Sequence, residues 1–134
     1  MRWDAAKYDA THTAQNDAGR DLIAMAAIRD GDTVLDIGCG TGTLTAELAA
    51  RAAHGKVVGL DPSAEMIAKA AETAAPAGNI RLLTMPAQEM TFSAEFDVVF
   101  SNSALQWIQE QEAVMALSYR ALKSGGRLAF QLPA

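Results

Sequence analysis

Glycine recurs at every second position in one short stretch of the chain, at Gly38, Gly40 and Gly42. The stretch follows an apolar run, residues 34–37, whose one acidic member is Asp36, and it precedes a helix-like segment. Glycine is needed where the backbone adopts positive φ or where a ligand comes closer than a Cβ would allow. Between a strand and a helix, such a loop directs free N–H groups and the positive end of the helix dipole at a ligand. The pattern therefore predicts a nucleotide-type binding site.

A second acidic residue, Asp61, follows the next apolar run, residues 57–60. The separation in sequence between Asp36 and Asp61 is that of one strand–helix–strand unit. A carboxylate in this place is the expected partner of a ribose diol. The same carboxylate has a structural alternative, as the N-cap of a helix that begins near Ser63 with Pro62 in its first turn. We predict ribose binding, and a capping residue that also faces the ligand satisfies both interpretations.

Composition limits the possible functions. A chain of 134 residues with 50% hydrophobic residues corresponds to one domain with an apolar core. The net charge is −5 and no basic run is present, which argues against nucleic acid as a partner. No apolar run is long enough for a membrane span, and the first residues lack a signal peptide's apolar core, so we expect a cytoplasmic protein. A single cysteine, Cys39, leaves no internal disulfide and no cysteine-based metal site.

Predicted strands and helices alternate along the chain. The strands are residues 34–37, 57–60, 80–84, 96–101 and 127–132, and the helices are residues 16–29, 43–54, 63–75 and 112–123. The first four strands are short apolar runs, as in a parallel sheet covered on both faces. This alternation predicts an α/β doubly wound sheet with right-handed crossovers. Ligands of such sheets bind at the carboxyl ends of the strands, where Asp36, Asp61, residues 86–88 and residues 101–104 fall.

Four motifs in this order resemble the class I S-adenosylmethionine-dependent methyltransferases: residues 34–42, 59–66, 96–107 and 122–126. The resemblance runs from the first predicted strand to the end of the chain. It implies a Rossmann-like fold with strand order 3-2-1-4-5, an N-terminal helical lid segment over residues 1–30 and a cofactor-binding core over residues 31–134. Residues 104–107 and 131–133 are similar to the trans-aconitate methyltransferase branch, which implies a small-molecule acceptor, specifically a carboxylate.

The resemblance also implies S-adenosylmethionine as the cofactor and gives roles to individual residues. The glycine loop and the helix after it would bind the methionine carboxylate, Asp36 the amine and Asp61 the two ribose hydroxyls. Pro86 stands where many relatives have an acid that meets the adenine amine, so the backbone of Ala87 and the amide of Gln88 are expected to substitute. The complete predicted cofactor set is Asp36, Gly38, Cys39, Gly40, Gly42, Asp61, Pro62, Met66, Ala87, Gln88, Asn102, Ser103 and Ala104.

Other residues that could do chemistry have structural alternatives. Tyr8 and Gln15 are either lid residues near the cofactor or part of a frayed terminus. His12 is expected at the surface, and His54 is expected to interact with a helix dipole. Trp107 is interpreted as a core residue, with a pocket wall as the alternative. Neither a catalytic triad nor a metal-ligand set is apparent, so no catalytic residue is assigned.

Two other functions compete with methyl transfer. A nicotinamide-dependent oxidoreductase would carry G-x-G-x-x-G, whereas residue 43 here is Thr. A non-catalytic S-adenosylmethionine-binding or interaction module is the stronger alternative, because relatives continue after the fifth strand into a part that carries most substrate contacts. We therefore expect weak methyl transfer from this chain alone. We also expect self-association through the fifth strand, which would be an exposed edge.

Overall fold

A five-stranded sheet forms the centre of the structure, a computed structural model that describes residues 17–102 and 110–131. Its strands pair in the order β3-β2-β1-β4-β5, and all four pairings are parallel. The predicted doubly wound α/β sheet with order 3-2-1-4-5 is therefore confirmed. The strands are β1 (Thr33–Ile37), β2 (Lys56–Asp61), β3 (Ile80–Thr84), β4 (Phe96–Asn102) and β5 (Leu122–Gln131).

Helices cover both faces of the sheet, because successive residues of each strand point to opposite sides and most of them are apolar. One core joins the sheet to α1 (residues 17–26) and α2 (Thr43–Arg51), and α3 (Ala64–Ala74) packs beside α2. The other core joins the sheet to α4 (Gln111–Ala121) and to a 3-10 turn at Ala87–Glu89. β1 contributes to both, with Val34 in the first core and Leu35 and Ile37 in the second.

Helix α1 is fastened to the sheet at its C-terminal end. Arg127 in β5 donates from Nε and Nη2 to the carbonyl oxygen of Ala26 at 3.1 and 3.0 Å, and from Nη2 to that of Ala27 at 3.1 Å. The last carbonyls of a helix have no intrahelical partner, and a cation there also complements the helix dipole. Leu22 and Ile23 bury the apolar face of α1 in the first core. Within the described residues, no helix is long and apolar enough to cross a lipid bilayer.

Several predicted boundaries are corrected by the structure. Helix α2 ends at Arg51 rather than at residue 54. The chain turns back at Gly55, whose N–H donates to the carbonyl oxygen of Ala52. Helix α4 ends at Ala121 rather than at residue 123, and β5 begins at Leu122 rather than at residue 127. The register places Phe96 opposite Leu122 but the next paired residue of β4 opposite Arg127, so the intervening residues of β5 bulge from the ladder.

Candidate functional site

The loop after β1 is held against the end of β2 by backbone hydrogen bonds. The N–H groups of Gly38 and Cys39 both donate to the carbonyl oxygen of Leu60, at 2.8 and 2.9 Å. Gly38, Gly40 and Gly42 all have positive φ, at 73°, 55° and 86°. Only glycine adopts this region without strain, so the alternating glycines are required by the turn itself. The loop therefore has one fixed shape at the carboxyl edge of the sheet.

Asp61 links this loop to the start of α3. Its Oδ2 accepts from the N–H of Gly40 at 3.1 Å, and its Oδ1 accepts from the N–H of Ser63 at 2.9 Å. The N-cap of α3 is Ser63, whose hydroxyl oxygen accepts from the N–H of Met66 at 3.2 Å. The alternative role predicted for Asp61 is thus corrected, because Ser63 caps the helix and Pro62 lies before it. Asp61 instead holds together the glycine loop and the start of α3, which lie at the carboxyl ends of the strands.

The N-terminus of α2 faces the same edge and has no side-chain cap. Its N-cap is Gly42, which lies in the left-handed region. A Cβ added to Gly42 would lie 3.0 Å from the Cα of Ala70, so glycine also allows α2 to pack closely on α3. Uncapped N–H groups at the start of a helix form a binding site for an anionic group such as a carboxylate.

Asp36 is buried beneath the loop, with 3% of its surface exposed. Its Oδ2 accepts from the hydroxyl of Thr45 at 2.7 Å. Burial raises the pKa of Asp36 to about 7; the nearby charge of Asp61 acts in the same direction, and the hydrogen bond from Thr45 opposes the shift. A carboxylate in such surroundings is costly to ionise without a cation beside it. The site can therefore favour a positively charged ligand group.

Cys39 has a packing role in the loop. It is 8% exposed, and a Cβ added to Gly59 would come within 3.1 Å of its Cβ and Sγ, so the small residue in β2 makes room for it. Burial, together with the charges of Asp36 and Asp61, raises the pKa of the Cys39 thiol well above its ordinary value. A thiol that stays protonated is a poor nucleophile, which agrees with a packing role.

The remaining predicted site residues lie around the same edge, where the structure describes them. Pro62 is exposed and Met66 half-buried at the start of α3, while Ala87 is buried and Gln88 half-buried in the 3-10 turn after β3. Asn102 is half-buried at the end of β4. The residues outside the described part of the chain are Tyr8, His12, Gln15, Ser103, Ala104 and Trp107.

Sequence reasoning missed the buried Thr45 at the site, gave no role to the buried Ser101, and placed His54 at a helix end that the structure does not have. Thr45 follows the helical spacing of the buried residues Leu48 and Ala49, a signal that could have placed it facing the sheet. Ser101 donates from its hydroxyl to the carbonyl oxygen of Ile37 at 3.1 Å, which ties the ends of β4 and β1 together. His54 lies beyond the end of α2, and its Nδ1 is 2.6 Å from an exposed Asp30 carboxylate oxygen. The described residues contain no group of His, Cys, Asp or Glu arranged to hold a metal ion.

Comparisons with known proteins agree with this geometry. Residues 34–126 match the family described as Methyltransferase domain. The whole chain is 40% identical to half of the trans-aconitate 2-methyltransferase of Deinococcus radiodurans. Among solved structures, an S-adenosylmethionine-dependent methyltransferase from Mesorhizobium loti superposes with a TM-score of 0.73 and 28% identity, over 83% of this chain and 51% of that one. The YcgJ protein of Bacillus subtilis gives a TM-score of 0.76 at 25% identity, over 84% and 49%. The chain spans about half the length of the curated relatives it matches.

Proposed function

This chain belongs to the methyltransferase domain family, and we propose that it is the S-adenosylmethionine-binding part of an enzyme that methylates a small carboxylate. The observation that carries the proposal is the arrangement at the ends of β1 and β2. There a rigid glycine loop, an uncapped helix N-terminus and two carboxylates converge. This set matches a ligand with an amino-acid end and a ribose, and S-adenosylmethionine has both.

The ribose is assigned to Asp61. Each of its carboxylate oxygens accepts one backbone N–H, from Gly40 or Ser63. A carboxylate offers about four lone-pair positions, so two remain for the two ribose hydroxyls. The existing hydrogen bonds fix the orientation of the carboxylate before the ligand arrives, which reduces the entropy lost on binding.

The methionine end is assigned to the glycine loop and the region beneath it. The N–H groups at the start of α2 would bind the carboxylate, and Asp36 would face the ammonium group. The adenine would lie toward the start of α3 and the 3-10 turn, with Pro62 and Met66 giving apolar contact and methionine adapting to the ring. The other members of the proposed cofactor set are Gly38, Cys39, Gly40, Gly42, Ala87, Gln88, Asn102, Ser103 and Ala104.

Methyl transfer depends more on the alignment of the acceptor with the methyl group than on acid–base chemistry. An acceptor oxygen attacks the methyl carbon in line with the departing sulfur, so a C–O bond forms as the C–S bond breaks and the sulfonium charge disappears. Correct orientation of two reactants accounts for up to about 7–11 kcal/mol of a barrier. A carboxylate acceptor is ionised at neutral pH and needs no general base. The trans-aconitate 2-methyltransferases among the relatives support this class of acceptor.

Labelled methyl transfer tests the acceptor class. With S-adenosylmethionine labelled in its methyl group, we expect trans-aconitate to gain label and its trimethyl ester to gain none, because only the free acid has an oxygen nucleophile. Label on an amine acceptor instead would contradict the carboxylate proposal. Cofactor binding without transfer to any acceptor would favour the alternative of a non-catalytic binding module.

The β5 edge is proposed as a self-association surface. Among the described strands β5 pairs only with β4, and residues 128–131 carry no charge. The opposite edge strand, β3, includes the exposed Arg81, and charged residues discourage pairing between edges.

We expect light scattering to show a mass that rises with protein concentration. Gln131→Lys should reduce this rise, because it places a charge on the β5 edge, whereas Thr84→Lys on β3 should leave it unchanged. A mass equal to the monomer at all concentrations would contradict the proposal.

A further inference from the structure

Thr45 is the one residue whose hydrogen bond to the Asp36 side chain is seen in the described part of the chain. The contact is short, at 2.7 Å, and both residues are buried, with Thr45 fully inaccessible to solvent. Thr45 lies in the first turn of α2, directly after the glycine loop, so its hydroxyl reaches back under the loop to the end of β1. The position is therefore suited to orient the carboxyl group toward whatever binds above it.

Among the residues that the structure describes, none supplies a cation to Asp36. Its partners in the sheet register are Gly59 in β2 and Phe100 in β4, neither of which titrates. The charged group that acts on it is the Asp61 carboxylate at the end of β2, and Asp36 in turn raises the pKa of the Cys39 thiol in the loop. None of the described ion pairs includes Asp36. An isolated buried carboxyl group of this kind is stabilised in its protonated form.

We propose that Thr45 is a positioning residue that holds Asp36 so that its carboxyl group releases a proton to solvent when the ammonium of an α-amino ligand binds. The proposal rests on the proposed function, because it assigns the ammonium end of S-adenosylmethionine to Asp36. No co-reactant is needed: the carboxylic acid becomes a carboxylate, the proton goes to the buffer, and the carboxylate pairs with the ligand cation. Binding of the cofactor and ionisation of Asp36 are then a single linked equilibrium.

The sign of the pH dependence follows from this linkage. In the free chain the pKa of Asp36 is about 7, whereas a bound ammonium group favours the carboxylate and lowers that pKa. Affinity should therefore rise as the pH increases toward 7 and level off above it. The number of protons released per ligand should be about nine-tenths at pH 6 and about one-tenth at pH 8.

Calorimetry of S-adenosylhomocysteine binding in buffers of different ionisation enthalpy measures this proton release. S-adenosylhomocysteine, the demethylated product, keeps the α-amino group. Thr45→Val removes the hydroxyl but keeps the side-chain shape, and loss of a hydrogen bond to the carboxylate should move the midpoint of the affinity curve upward by about one pH unit. Affinity should fall about fivefold at pH 7 and recover at higher pH. Thr45→Ser should restore the native midpoint, and Asp36→Asn should abolish proton release.

The controls separate positioning from a general loss of stability. Thr73→Val makes the same chemical change on the exposed side of α3, where the hydroxyl donates to a backbone carbonyl, and it should leave the pH profile unchanged. An equal loss of affinity in Thr45→Val at every pH would overturn the proposal, since a structural defect would not shift the midpoint. Binding of S-adenosylhomocysteine without proton release would overturn the proposal alone. Failure of the native chain to bind S-adenosylhomocysteine at any pH would overturn the proposed function as well.

Discussion

Replacement of Asp61 by Ala should weaken S-adenosylhomocysteine binding by at least about tenfold, with the chain still folded. Hydrogen bonds to charged groups contribute about 1.5–3 kcal/mol, and the proposed carboxylate accepts two of them from the ribose. The variant also leaves the N–H groups of Gly40 and Ser63 without this acceptor, so a modest fall in melting temperature is expected. Calorimetry well below that temperature measures the affinity of the folded protein.

Ser63→Ala is the matched control for this prediction. It removes the hydroxyl that caps α3 but leaves the Asp61 carboxylate in place, so it should lower stability by about 1 kcal/mol without a comparable loss of affinity. Unchanged affinity in Asp61→Ala, together with a lower melting temperature, would show that the carboxylate only braces the loop and the helix start. Asp61→Asn keeps the shape of the side chain and tests whether the negative charge is needed.

The features predicted correctly from the sequence are those that local chemistry determines. Alternation of apolar strands with helices was enough for a doubly wound parallel sheet, because parallel strands covered on both faces leave few topologies. The strand order itself was implied by the resemblance to the methyltransferases. The loop over residues 38–42 was also predictable, because three closely spaced glycines favour a turn. In the structure all three glycines have positive φ.

The features missed depend on contacts between distant residues. Thr45 bonds to Asp36 across nine positions of sequence, and only the close approach of α2 to β1 makes its hydroxyl part of the site. The sequence predicts the fifth strand only from residue 127, because Gly125 and Gly126 are compatible with a turn or a bulge and only the pairing with β4 decides between them. The start of α3 was placed one residue early, since Ser63 could serve as the cap or as the first helical residue.

The glycine loop and its two carboxylates are suited to bind S-adenosylmethionine rather than a dinucleotide. Residue 43 is Thr, and α2 begins there, so the third glycine of the dinucleotide fingerprint is absent. The Asp61 carboxylate also repels a pyrophosphate, whereas the buried Asp36 beneath the loop can ionise to pair with an ammonium group. Charge and loop shape therefore select the same ligand.

Parallel calorimetric titrations of the native chain with S-adenosylhomocysteine and with NAD distinguish the two ligands. The structure predicts saturable binding of S-adenosylhomocysteine, with one ligand per chain, and no measurable heat of binding with NAD at the same concentrations. Tighter binding of NAD than of S-adenosylhomocysteine would contradict the assignment of the site.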